Sequence, residues 1–352
     1  MTQPSQGPQQ IPVVVLAGFL GSGKTTLLNH LLHHSGGTRI GAIVNDFGAI
    51  EIDALAVAGA LGDSTVSLGN GCLCCAVDSS ELDGYLERLA RPGTGIDVIV
   101  IEASGLAEPQ ELVRMLLASE LPGIVYGGLV EAVDAAEFDA TRTKHPEIDR
   151  HLALADLVVV NKLDRAADRE RVLGLVRDLA EHAAVVPATY GRIDPGFLFD
   201  CRPSEERVGQ LSFDDLHHHG DRPGEDPEGH LHTGYDSLSF TSDVPLDPRR
   251  LIAFLDRRSE GLYRIKGYVD FGAYDPANRY AVHAVGPFLR FYPERRPGGA
   301  PRRTQLVLIG SGIDAAALEK DLRACTSDAP HTADEHGMWG VLRYVPDPEE
   351  AA

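Results

Sequence analysis

Gly18-Phe19-Leu20-Gly21-Ser22-Gly23-Lys24-Thr25 spells G-x-x-x-x-G-K-T between an apolar, β-branched run, Val13 to Ala17, and a helical pattern, Thr26 to Leu32. No other feature constrains the fold of this chain as tightly. A strand that breaks into a glycine-rich loop and then a helix is the phosphate-binding unit of a parallel α/β sheet. Glycines let the backbone wrap close to phosphate oxygens, so that amide N–H groups and the helix N-terminus face the negative charge. Gly18, Gly21, Ser22, Gly23, Lys24, Thr25 and Thr26 are therefore the expected phosphate cradle. Lys24 is placed to reach the β- and γ-phosphates, and the Thr25 hydroxyl to hold Mg²⁺. A glycine-rich turn that merely spells the motif is the alternative, and the flanking strand and helix weigh against it.

The same alternation continues along the first half. Ile40 to Val44, Val98 to Ile101, Leu129 to Val133 and Leu157 to Val160 are short apolar runs separated by helical patterns. This predicts an α/β fold, a P-loop NTPase domain with a mainly parallel sheet flanked by helices. A polar stretch rich in Gly, Pro, Asp and His follows. Beyond it, strand patterns at Leu238 to Phe240, Gly267 to Phe271, Tyr280 to Val285, Phe288 to Tyr292 and Gln305 to Ile309 mix with helical ones at Pro248 to Arg257 and Ile313 to Arg323. The expected organisation is a loose tail over 1–10, the nucleotide domain over 11–202, a histidine-rich linker over 203–234, a smaller C-terminal α/β domain over 235–346 and an acidic tail over 347–352.

Asn161-Lys162-Leu163-Asp164 follows one of the apolar runs, where ligands of α/β sheets bind. N-K-x-D reads guanine. The Asp164 carboxylate can accept from the base N1–H and the exocyclic amine, a pair of donors adenine lacks, while Asn161 braces the loop and Lys162 lies along the base. A wrong base leaves the carboxylate unpaired, which is the source of discrimination. The rival reading is an ordinary turn, since Asn and Asp are common after strands. Pro187 to Gly191 offers a second wall for the base.

Glu102 closes the apolar run Val98 to Ile101 in the position of an acid that holds Mg²⁺, and Gly105 follows with an N–H for the γ-phosphate. Asp46 and Asp53 lie after the second strand, where a nucleotide-sensing segment belongs. Asp53 is the second candidate for magnesium or for orienting the attacking water. Helix capping or simple surface charge is the competing explanation for these acids. With Lys24, Glu102 and Asp53 as the candidate catalytic groups, the predicted activity is hydrolysis of GTP to GDP and phosphate.

Gly71-Cys72-Leu73-Cys74-Cys75 places three of the chain's five cysteines in one glycine-flanked loop. In extended backbone Cys72 and Cys74 project to one side, and a turn brings Cys75 round. Thiolates prefer Zn²⁺ or Cu(I), and three of them on a tetrahedral ion leave one position open for transfer. Inert buried thiols or a redox pair are the alternatives, although a disulfide between the adjacent Cys74 and Cys75 would be strained. The histidines of the linker, His217 to His219, His230 and His232, either collect metal weakly or are simply solvated.

Acidic residues outnumber basic ones, 52 to 32, for a formal charge of −20. Such a surface repels phosphate backbones and anionic lipids, so nucleic acid and membrane are excluded as expected partners. The apolar run at Ile11 to Leu20 is too short to span a bilayer. Clustered cysteines with no disulfide framework point to a reducing compartment, the cytoplasm.

Taken together, G-F-L-G-S-G-K-T-T at Gly18 to Thr26, N-D-F-G at Asn45 to Gly48, G-C-L-C-C at Gly71 to Cys75, E-A-S-G-L-A-E-P at Glu102 to Pro109 and N-K-L-D at Asn161 to Asp164 resemble the CobW-like family of P-loop GTPases, which includes zinc metallochaperones. The resemblance extends through Leu262 to Gly267, Val282 to Gly286 and Leu306 to Gly310. It implies GTP, Mg²⁺ and Zn²⁺ as ligands, with zinc on Cys72, Cys74 and Cys75 and release to client metalloproteins gated by the nucleotide. It also implies a nucleotide-dependent homodimer. Val44 and Ala49 stand where members often carry acids, which leaves the thiolates as the metal ligands and Glu51 as a substitute carboxylate. A zinc-buffering protein with a vestigial GTPase, or a P-loop activator of a cofactor-assembly step, would carry many of the same motifs.

Overall fold

The computed structural model describes residues 10–45, 65–68, 79–91, 93–105, 107–199, 236–257, 259–296, 302–327 and 336–346. Cys72, Cys74 and Cys75, the acids Asp46, Glu51 and Asp53, Ala49, and the linker histidines lie outside the described residues.

The first domain is built on a seven-stranded sheet in the order β3-β2-β4-β1-β5-β6-β7, with every neighbouring pair parallel. Its strands are β1 (Ile11–Ala17), β2 (Ile40–Asn45), β3 (Thr65–Leu68), β4 (Val98–Glu102), β5 (Ile124–Asp134), β6 (Leu157–Asn161) and β7 (Ala184–Pro187). Its described helices are α1 (Lys24–His33), α2 (Ser79–Ala90), α3 (Pro109–Ala118), α4 (Phe138–Lys144), α5 (Ile148–Leu154) and α6 (Arg169–Leu179).

Strands covered by helices on both faces must be apolar at successive positions. VIVIE in β4 and LVVVN in β6 are buried along their whole length. In β1 the period of two sends Val14 and Leu16 into one core and Val13, Val15 and Ala17 into the other. The chain leaves β1 towards β2 on one side of the sheet and later crosses from β4 to β5 on the other. The carboxyl end of β1 is thus the point where strand order reverses, which is where open α/β sheets bind ligands.

The second domain contains a five-stranded antiparallel sheet, ordered β11-β10-β9-β12-β8. Its strands are β8 (Asp236–Ser242), β9 (Leu262–Val269), β10 (Asn278–Val285), β11 (Phe288–Arg295) and β12 (Thr304–Gly310), with helices α7 (Pro248–Asp256), α8 (Ala315–Ala324) and α9 (Trp339–Leu342). The strand expected from Gly267 starts earlier, at Leu262. Arg264 and Lys266 hid its beginning, because charges rarely enter a buried strand. Arg264 is buried here and donates to the Leu198 carbonyl at 2.9 Å.

The two domains share a core. Tyr263, Val285 and Ile309 pack in one cluster with Val14, Val130 and Phe197. The Tyr263 hydroxyl donates to the Gly127 carbonyl at 3.3 Å, and His283 Nε2 lies 2.9 Å from the Tyr126 carbonyl. Burial, reinforced by the nearby Arg264 charge, holds His283 down at about 4, so this contact is made by the neutral ring, its Nε2–H donating. Among the described residues no helix is long and apolar enough to cross a membrane.

Candidate nucleotide site

The loop after β1 turns back through three left-handed glycines, Gly18, Gly21 and Gly23, with φ of 140°, 78° and 98°. Gly23 is the N-cap of α1 and makes no side-chain cap. The first turn of α1 also lacks an acidic residue. Three helices close this end with a capping carboxylate, Asp168 on α6, Asp247 on α7 and Asp314 on α8, and α3, α4 and α5 carry an acid in the first turn. The N-terminal amides of α1 therefore keep their positive end for an external anion, as a phosphate cradle requires.

Lys24, the loop's one cation, is buried and donates to the carbonyls of Gly18 at 2.9 Å and Phe19 at 3.3 Å. The Thr25 hydroxyl donates to Glu102 Oε1 at 2.7 Å. Two hard oxygen donors from loci 77 residues apart thus meet at the end of β4, next to the phosphate loop. Glu102 is held there because it continues the buried strand and is itself only 4% exposed. Gly105 lies against the loop from the same side: a Cβ at this position would stand 2.8 Å from Leu20 N. Thr26 is exposed in the first turn of α1.

Asn161 ties three loops together. Its Nδ2 donates to the Ser22 carbonyl at 3.0 Å and its Oδ1 accepts from the Gly191 amide at 2.9 Å. The approach is so close that a Cβ on Gly23 would collide with Asn161 Nδ2 at 2.3 Å. Lys162 has left-handed backbone, φ 56°, and extends back to the phosphate loop, donating to the Gly21 carbonyl at 2.7 Å. Asp164 is exposed, and Tyr190, also left-handed, exposes 69% of its surface on the loop that Asn161 grips. The phosphate loop, the N-K-L-D loop and the Ala188 to Gly191 loop thus converge at the carboxyl end of the sheet.

Two further acids belong to this region and carry no motif of their own. Asp134, the last residue of β5, receives Lys162 Nζ on Oδ2 at 2.6 Å. Glu131, earlier on the same strand, is 2% exposed, and its Oε2 has no hydrogen-bond partner among the described residues. Burial pushes its carboxyl up to about 8, with the Lys24 charge working in the opposite direction. A cavity of about 150 Å³ lies between the loop and this end of β5, bounded by Phe19, Ser22, Glu131, Asp134 and Phe138. A carboxylate at the end of an apolar run is the signal that singles out Glu102; Asp134 shares it, whereas Glu131 interrupts its run.

Among the described residues there is no group of three or more His, Cys, Asp or Glu side chains placed to hold a transition metal. Cys325, the one described cysteine, is buried in the second domain and donates to the Asp321 carbonyl.

Residues 12–187 match the family model described as "CobW/HypB/UreG, nucleotide-binding domain", and residues 235–326 match "Cobalamin synthesis protein cobW C-terminal domain". The zinc chaperone CobW of Pseudomonas aeruginosa is 32% identical, over 89% of this chain and 91% of its own. The zinc chaperone CobW of a Sinorhizobium species is 30% identical, over 92% of this chain and 99% of its own. The zinc-regulated GTPase metalloprotein activator 1 of Schizosaccharomyces pombe is 31% identical over 52% of this chain and 47% of its own. With both domains matched and similarity running through nearly the whole length of the two CobW relatives, this chain belongs to the CobW/HypB/UreG family of P-loop proteins.

Proposed function

We propose that this protein binds and hydrolyses GTP and, under control of the nucleotide, carries zinc on Cys72, Cys74 and Cys75 to client metalloproteins. The observation that best supports the guanine part is the double hydrogen bond of Asn161, which locks the base-reading loop to the phosphate loop. The zinc part is supported by the zinc chaperones to which the chain is similar along most of its length.

In this reading water attacks the γ-phosphorus, the bond to the β,γ-bridging oxygen breaks, and GDP leaves with the electron pair. Lys24 and the loop amides stabilise charge developing on the phosphate oxygens. Thr25 Oγ1 and Glu102 Oε1, already 2.7 Å apart, suit Mg²⁺ as a hard, oxygen-seeking ion. Bound there, the ion would neutralise the β- and γ-phosphate oxygens. Gly105 offers its N–H to the γ-phosphate, and Asp53 orients the water. Asp164 accepts from guanine N1–H and the exocyclic amine, with Lys162 along the base.

Zinc is the cargo. Three thiolates leave an open coordination position through which a client ligand can enter, so transfer needs no prior dissociation. In the sequence the cysteine motif falls between the two segments expected to respond to the γ-phosphate, and loss of that phosphate would change its geometry. The protein works in the cytoplasm, as a homodimer when nucleotide is bound.

Phosphate release from GTP and ATP, by wild type and Lys24→Ala, is the first test. Turnover confined to GTP and abolished in the variant is expected. Equal use of ATP would overturn the guanine assignment, and stoichiometric zinc binding without any turnover would make the protein a zinc store.

A further inference from the structure

The Lys162 ammonium is held from two sides, by the Gly21 carbonyl at 2.7 Å and by Asp134 Oδ2 at 2.6 Å. Asp134 is itself fixed. Its Oδ1 accepts from the amides of Ala136 at 3.0 Å and Glu137 at 3.3 Å. It ends β5 in register with Asn161 at the end of β6, so it stands beside the residue that grips Ser22 and Gly191. The pair is partly withdrawn from water, with side-chain exposures of 26% for Lys162 and 16% for Asp134.

A lysine stem has many rotamers, and a single carbonyl acceptor does little to choose among them. A carboxylate that is already immobile chooses one, through a charge-assisted hydrogen bond. The left-handed backbone of Lys162 adds to the need, because such a conformation in a non-glycine residue persists only where its surroundings hold it.

We propose that Asp134 is a specificity-determining positioning residue for the nucleotide: by clamping Lys162 between its carboxylate and the Gly21 carbonyl, it holds the lysine stem as a rigid wall for guanine and ties base recognition to the phosphate loop. The proposal rests on the assignment of N-K-L-D as the base-reading loop. Asp134 touches neither base nor phosphate in this scheme and acts through Lys162.

The test is equilibrium binding of a fluorescent GDP to the full-length protein, with competition by GDP, IDP and ADP, for wild type, Asp134→Ala, Asp134→Asn, Lys162→Met and the Asp134→Ala/Lys162→Met double variant. Asp134→Ala should weaken GDP about 10-fold, in line with loss of a partly buried charge-assisted contact. It should also narrow the preference for GDP over IDP, while turnover at saturating GTP changes by less than about threefold because no transition-state contact is removed. Asp134→Asn, which keeps the shape and loses the charge, should fall between, and it covers the case in which the alanine variant fails to fold. The double variant should bind no more weakly than Lys162→Met alone. Unchanged affinity and selectivity in both Asp134 variants, or losses that multiply in the double variant, would overturn the proposal. A wild-type protein that binds ADP as well as GDP would instead overturn the guanine assignment beneath it.

Discussion

Asn161 Nδ2 donates to the Ser22 carbonyl at 3.0 Å, joining two positions 139 residues apart. The same side chain receives the Gly191 amide, so one residue sets the distance between the phosphate loop, the N-K-L-D loop and the Ala188 to Gly191 loop. Removing a buried group that satisfies two backbone partners leaves both unpaired, at about 1–3 kcal/mol each. Asn161→Ala should therefore weaken nucleotide binding by on the order of 100-fold and lower the denaturation midpoint of the nucleotide-free protein. Titration with fluorescent GDP and chemical unfolding check the two effects.

Glu131 makes a prediction with a definite sign. Its carboxyl is pushed up to about 8 in the fold, against 4.5 for an ordinary glutamate. The folded protein thus keeps a proton that the unfolded chain gives up, and stability falls as pH rises from 4.5 to about 8 and is level above that. Glu131→Gln should leave stability little changed at pH 5 and raise it by on the order of 3 kcal/mol at pH 9. Denaturant unfolding of both proteins at the two pH values measures the difference.

His283 behaves in the opposite sense. Its pKa is held at about 4, below the ordinary 6.5, so the neutral ring stabilises the joint between the domains above pH 6.5. That contribution is lost as pH falls from 6.5 to about 4, where the buried ring must charge. The wild type should lose on the order of 2–3 kcal/mol more than His283→Gln across this interval. Parallel unfolding curves at pH 7 and pH 4.5 would show it.

Glu102→Gln keeps the size of the side chain and removes the charge expected to face Mg²⁺. Turnover of GTP should fall at least about 100-fold, the usual scale for loss of one electrostatic contact in the transition state, with GDP affinity much less affected. Steady-state phosphate release across a magnesium titration separates the two.

The places of the phosphate loop, Glu102 and the N-K-L-D loop at strand ends were legible because each is contiguous and follows an apolar run, so strand order was not needed; the cysteine motif lies outside the described residues. The pairing of Asp134 with Lys162 was not legible, since the two lie 28 residues apart and meet only through the register of β5 against β6. The start of β5 was hidden too. Gly127 and Gly128 read as a break, yet they lie inside the strand, where Tyr263 and Val285 of the second domain pack too closely for a side chain at Gly128. The joint between domains hides in the sequence for a related reason: Arg264 and His283 look solvent-bound, yet Arg264 is buried and His283 half-buried, each against a carbonyl of the other domain. The antiparallel arrangement of the second sheet likewise follows from packing that spacing alone does not encode.

The central claim, that nucleotide state governs a zinc site on the cysteine loop, is tested most directly by anaerobic zinc titration against a chromophoric chelator. The protein would be measured free, with Mg-GDP and with a non-hydrolysable Mg-GTP analogue, beside Cys74→Ser. One zinc per chain, lost in Cys74→Ser and with an affinity that differs between the two nucleotides, is the predicted result. An affinity identical in all three states, or a site indifferent to Cys74, would contradict it.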